Sequence, residues 1–115
     1  MIVAHERDVQ KIKMEGDSLE NVHKKVLISP KEGWEGHVMR VFELGVNGYT
    51  PKHSHPWSHI NYILKGEGIL HLDGIDHEIE EGSYAYVPGN KTHQFTNRGN
   101  TTFSFICIVP EEGEQ

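Results

Sequence analysis

A single cysteine, Cys107, excludes an intrachain disulfide, and no cysteine framework points to an oxidising compartment. No stretch approaches the ~20 apolar residues that span a bilayer. The first residues also lack the apolar core of a signal peptide, so a cytoplasmic location is the expectation. Basic residues are few: 11 Lys and Arg against 17 Asp and Glu give a formal net charge of −6. Phosphate binding needs clustered cations, and Lys24-Lys25 is only a solvated pair, which argues against a nucleic-acid partner. Low-complexity segments and interdomain linkers are absent as well. A chain of 115 residues can bury one core but not two, which predicts a single domain over residues 1–115.

What the chain has in quantity is turn signals. They stand at Ser29-Pro30, Val46-Asn47-Gly48, Lys65-Gly66-Glu67-Gly68, Leu72-Asp73-Gly74, Glu81-Gly82, Pro88-Gly89-Asn90 and Arg98-Gly99-Asn100. The segments between them are too short for most helices and rich in Val, Ile, Phe, Tyr and Thr. Turns about every 8–12 residues predict an all-β fold, an antiparallel sandwich or barrel with little or no helix. Asp73-Gly74, between Ile69–Leu72 and Ile75–Ile79, predicts a tight hairpin because both residues tolerate positive φ. Residues 1–30 are more charged and less patterned, and read as peripheral strands. Within them Val26-Leu27-Ile28 suits a sheet edge buried against a second copy, so a homodimer is expected. The tail over 110–115 carries three glutamates and no anchoring residue, and reads as frayed and solvated.

Nine histidines are also present, and four of them have a spacing that carries chemistry. His53 and His55, two apart on an extended segment, project to the same side. His59 follows the bend favoured by Pro56 and opens the apolar run Ile60–Leu64. His93 heads a later strand-like run and joins the group only if the sheet curls, which points to a barrel. Neutral imidazole donates a lone pair without a depressed pKa and suits zinc, copper, iron, nickel and manganese. The set therefore predicts one divalent transition metal. His5, His23, His37, His71 and His77 lack the spacing and read as ordinary polar positions.

The framework around these histidines resembles the cupins, small jelly-roll β-barrels with a metal inside. The first cupin motif has a glycine, a His-x-His, a Glu and a second glycine; this chain has Gly48, His53, His55, His59 and Gly66 over 48–66. The second has a glycine, Pro-x-Gly, a His and an Asn; this chain has Gly82, Pro88, Asn90, His93 and Asn97 over 82–97. Asn90 replaces the glycine after Pro-x and is the next best residue for a left-handed turn. His59 replaces the usual Glu ligand, so the chain resembles the smaller group of cupins with four-histidine sites. Losing that carboxylate leaves a bound ion its full +2 charge for an anionic or oxygen ligand.

Strand alternation then nominates the lining of the interior. Asn61 and Ile63 share the face of His59, Phe95 shares that of His93, and Tyr62 points away. In the last strand the set Phe103, Phe105, Cys107 and Val109 is placed inward because exposed Phe is costly. Cys107 is then a buried thiol, read as inert. Arg40 has two readings: a fork for a substrate carboxylate, or a rim residue paired with a nearby Glu. No acid–base catalytic residue is nominated. Three function classes fit a small-molecule site of this kind. A metal-dependent oxygenase or oxidoreductase comes first, because no motif segment places a carboxylate beside the histidines. A Lewis-acid lyase or isomerase and a non-catalytic binding module are the alternatives.

Overall fold

The computed structural model describes residues 1–114; Gln115, the last residue of the expected frayed tail, lies outside the described residues. Nine strands, all paired antiparallel, make up the fold. They are β1 (Ile12–Lys13), β2 (Glu20–Ile28), β3 (His37–Tyr49), β4 (His59–Lys65), β5 (Glu67–Leu72), β6 (Ile75–Glu80), β7 (Tyr84–Val87), β8 (His93–Asn97) and β9 (Phe103–Pro110). The helical pieces among the described residues are three single 3-10 turns, and no helix is long and apolar enough to cross a membrane. The order β6-β5-β8-β3-β9-β4-β7, with β2 on β3, forms a curled antiparallel sheet consistent with a jelly roll.

Strand β3 makes the curl. Over His37–Leu44 it pairs with β9, and at Tyr49 it meets Thr96 of β8. Between these stretches lies Val46-Asn47-Gly48, predicted as a turn but found inside the strand. Asn47 has φ 65 and Asn21, opposite on β2, has φ 54. The β2–β3 register jumps there, from Val22↔Leu44 to Glu20↔Tyr49. Asn and Gly satisfy the left-handed demand of a β-bulge as well as that of a turn, and a bulge bends its strand. The expected turn is thus a corner at which the chain keeps pairing.

The other predicted breaks are loops. Asp73 (φ 51) and Gly74 (φ 85) make the two-residue hairpin between β5 and β6. Asn90 (φ 66) takes the left-handed position after Pro88. The first thirty residues supply β1 and β2, and β1 covers β2 only at His23 and Lys24, leaving Val26–Ile28 on an open edge among the described residues. The core is built from the inward faces of β2, β3, β4, β8 and β9 together with Leu70 and Val87. Cys107 faces Arg40 and Phe105 faces Phe42 across β3–β9, with Phe103, Cys107 and Val109 on the same inner side. Phe105 stacks on Phe95 at 4.2 Å and on Phe42 at 5.6 Å, a ladder joining three strands. Asn97 ties this end together: its amide donates to Leu44 O, Gly45 O and Thr101 O, and its Oδ1 accepts from Gly99 N.

The tail differs from its expectation. Glu111 N donates to Gly36 O at 2.8 Å, and Glu114 pairs with Lys24 at 2.6 Å and with Arg40 at 3.1 Å. Two partly buried cations anchor what composition alone reads as solvated, so 110–114 is docked rather than frayed.

Gly66, which closes the first motif, has φ 85 and sits where an added Cβ would lie 2.5 Å from Thr102 O and 2.9 Å from Phe103 Cα. Left-handed strain and backbone overlap each cost roughly 1–3 kcal/mol. Gly66→Ala therefore lowers stability by at least about 2 kcal/mol, read as a fall of roughly 10 °C in Tm. A melting curve that superposes on that of the unaltered protein would contradict this placement.

Candidate metal centre

His53 and His93 are brought together by backbone before side chain. His53 N donates to His93 O at 3.1 Å and His93 N donates to His53 O at 2.9 Å, an isolated antiparallel bridge. Asn90 N donates to His55 O, so the left-handed turn of the second motif fastens the His53-Ser54-His55 segment of the first. Residues directly opposite in such a bridge share a face, and the two rings lie 4.9 Å apart. One nitrogen from each of His53, His55 and His93 falls within 4.8 Å of the others. These three form a cluster that could hold a metal ion. His59 comes from the start of β4, where its buried ring packs 4.9 Å from that of His93.

Three of the four rings have one nitrogen committed to an oxygen acceptor. His55 Nδ1 lies 2.8 Å from Trp57 O, His93 Nδ1 2.8 Å from Lys91 O, and His59 Nδ1 2.6 Å from Asn61 Oδ1. Backbone carbonyls only accept, so His55 and His93 carry their proton on Nδ1. Asn61 donates through Nδ2 to Ile106 O at 3.3 Å, which turns its Oδ1 towards His59 and gives that ring the same tautomer. Each Nε2 then bears a bare lone pair, and those of His59 and His93 face each other at 3.3 Å. Two lone pairs at that distance repel unless a cation lies between them. Nitrogens bound to one metal at about 2.0–2.1 Å stand roughly 3 Å apart on neighbouring positions.

A proton is a poor substitute for the metal. Burial is the main cause that pushes the imidazole of His59 down to about 3, opposed by its bond to Asn61 and helped by His93, His55 and Arg40. Burial likewise lowers His93, against the pull of the Lys91 carbonyl. Neutral rings with second nitrogens fixed by oxygen acceptors are what a late first-row divalent ion requires, so the donor set fits such an ion.

The histidines open on a chamber of about 330 Å³ with largely apolar walls. Among the residues nominated from sequence, Arg40, Phe95, Phe105 and Cys107 line it. Asn61 does not: its amide is spent on His59 and Ile106 O, so it supports a histidine and offers nothing to a ligand. Arg40 lines the chamber and also pairs with Glu114, which gives it the nearby Glu of the second reading. Alternation missed Trp57, which stacks on His55 at 4.7 Å with 10° between planes and accepts from it through its carbonyl. Also missed were Met14 and Leu19 from the connection between β1 and β2, Val22 from β2, and Glu112 and Gly113 from beyond β9. Only the position of Trp57 inside the first motif was a usable signal.

A cupin domain family model (Cupin_2) matches residues 40–109. The chain belongs to the cupin family. Among solved cupins it superposes on the polyketide cyclase RemF from Streptomyces resistomycificus with TM-score 0.89, at 28% identity over 96% of this chain and 80% of that one. A predicted oxalate decarboxylase from Thermotoga maritima gives TM-score 0.87 at 22% identity, over 95% of this chain and 98% of that one, a likeness of fold. By sequence, the cupin is 36% identical over 50 residues to an oxalate-binding protein of Thermotoga maritima. It is 34% identical over 56 residues to the dimethylsulfoniopropionate lyase DddW of Ruegeria pomeroyi. The first match covers 44% of this chain and 41% of that relative, the second 49% and 37%, so each spans less than half of the protein it matches.

The chemistry of Cys107 is set by its depth. Burial raises its thiol pKa, and Arg40, which donates to Sγ from Nη2 at 3.0 Å, opposes that rise without overcoming it. The folded state binds this proton more tightly than the unfolded chain, so its contribution to stability is fully present below the ordinary thiol range and is lost as pH rises from there through the raised folded value. At pH 8 iodoacetamide should alkylate Cys107 at least about 10-fold more slowly in the folded cupin than in urea. Equal rates would contradict a buried, protonated thiol.

Proposed function

We propose that this cupin is a metal-dependent enzyme whose four histidines, His53, His55, His59 and His93, hold one divalent transition metal, Fe, Mn, Ni, Zn or Cu. Its substrate is a small organic molecule with a carbonyl or carboxylate at one end and an apolar body. The observation that carries the reading is the fixing of three Nδ1 atoms by oxygen acceptors, which leaves the Nε2 lone pairs aimed at one another. His53 has no such anchor among the described residues, and with His55 and His93, whose ligand atoms lie within 4.8 Å of its own, it would hold the ion. When bound, the metal supplies Lewis acidity towards an oxygen of the substrate.

The protein's own residues do the rest. Phe42, Phe95 and Phe105 pack the apolar body and exclude water, which strengthens every charge interaction at the histidines. Glu112 is the one carboxylate lining the chamber among the described residues, and serves to carry a proton at its mouth. Its position bears on the choice of reaction. From sequence an oxygenase ranks first on the open positions left by a set of nitrogen ligands and on the lack of a carboxylate in the motif segments, and Glu112 in the chamber wall weakens the second ground. The named relatives support the same shift, since they include a cyclase and a lyase. Lewis-acid lyase or cyclase chemistry is therefore the reading favoured here over oxidation.

The test loads the purified protein with zinc, manganese, nickel or iron and follows small keto acids and aryl ketones by mass spectrometry beside an oxygen electrode. Substrate conversion with zinc or manganese and without oxygen uptake is the expected result. Oxygen consumed in step with substrate, and only with iron, would return the assignment to the oxygenases. His59→Ala should lower metal affinity by more than the roughly 10–100-fold expected for Asn61→Ala, which removes only the support of a ligand. Unchanged metal content in His59→Ala would take His59 out of the site.

A further inference from the structure

Arg40 is 8% exposed, yet its guanidinium meets a single anion. Nη1 donates to Glu114 Oε1 at 3.1 Å, Nη2 donates to the weak acceptor Cys107 Sγ at 3.0 Å, and Nε is buried with no acceptor. A guanidinium has five N–H donors, and its removal from water is offset only by close anionic partners. Lys24 supplies the second cation, with Nζ 2.6 Å from the other oxygen of the same carboxylate, Glu114 Oε2. Sheet register explains the meeting. Across β2–β3 Lys24 stands opposite Phe42 and Val26 opposite Arg40, so both cations project from one face.

The carboxylate between them belongs to a short turn that its own ion pairs help to dock. After the bond from Glu111 N to Gly36 O, the 3-10 turn Glu111–Gly113 has no side-chain cap. Its Gly113 lies against Trp57, where an added Cβ would stand 2.8 Å from the indole Nε1. Glu112, Gly113 and Arg40 line the chamber, while Glu114 lines a second hollow with Val26 and Val38, so Arg40 is the side chain that joins the seat of Glu114 to the chamber.

We propose that Arg40 and Lys24 form a carboxylate-binding subsite in which Glu114 is an internal stand-in, displaced by the carboxylate of a small organic acid whose apolar body lies against Phe42 and Phe105. This deepens the proposed function, resting on it only for the orientation that turns the other end of the acid towards the histidines. Displacement of Glu114 draws Gly113 away from Trp57, the ring stacked on His55. Binding at the anion end is thereby felt by a side chain that holds a metal-site imidazole.

Benzoate is the probe, titrated calorimetrically into the full chain as purified and again after metal removal with a chelator. Glu114→Gln, which removes the competing charge and keeps the shape, should bind benzoate about 10-fold more tightly than the unaltered chain in both preparations. Adding Lys24→Met should abolish most of the gain. No gain in Glu114→Gln, or a gain only when metal is present, would overturn the subsite. Should Glu114→Gln fail to fold, the unaltered protein decides: at saturating benzoate the indole N–H resonance of Trp57 moves while that of Trp34 does not, and an unmoved Trp57 refutes the displacement. A benzoate gain without metal-dependent turnover keeps the subsite and removes the Lewis-acid reading; turnover without the gain does the reverse.

Discussion

Two reciprocal backbone hydrogen bonds between His53 and His93 hold the rest of the site in place. They join a segment that follows the long bent strand β3 to the first residue of β8, which the sequence separates widely. The bulge at Asn47, the left-handed turn at Asn90 and the amide of Asn97 all serve this closure: one bends β3, one fastens His55, and one locks the far end of β8 to β3. Side-chain chemistry follows from the backbone. Once the two segments face each other, His55 and His59 fall beside His93 with their rings 4.8 Å and 4.9 Å from its own.

What that closure creates is polar at one end and apolar along its walls. Burial lowers the pKa of His59 and His93, and Trp57 O, Asn61 and Lys91 O give the rings of His55, His59 and His93 a direction. Phe42, Phe95 and Phe105 give the chamber apolar walls, beside which a charge interaction is stronger than in water. Arg40 adds a positive charge there, balanced by Glu114.

Much of this was legible in the sequence, and the reason is local geometry. Positions that demand positive φ can be filled by few residues, so Gly66, Asp73-Gly74 and Asn90 mark loops wherever they stand. Period-two alternation placed Phe105 and Cys107 inward because β9 is regular throughout. Where two structures share one local demand the sequence is mute: Asn47-Gly48 suits a turn or a bulge, and only the pairing partner decides. Asn61 shares the face that alternation gives it, but its partners, His59 and Ile106 O, depend on tertiary neighbours that the sequence does not show. The segment after β9 was misread for the same reason. Glu114 looks as solvated as Glu111 and Glu112 until Lys24 and Arg40, contributed by β2 and β3, are found on either side of its carboxylate.

The central claim is that four imidazoles share one metal ion. X-ray absorption at the metal edge of the loaded protein tests it most directly. The account predicts a first shell of nitrogen and oxygen at about 2.0–2.2 Å, with outer-shell scattering that fits four imidazole rings and no sulfur. A shell that holds a thiolate sulfur, or fits two imidazoles or fewer, would contradict it.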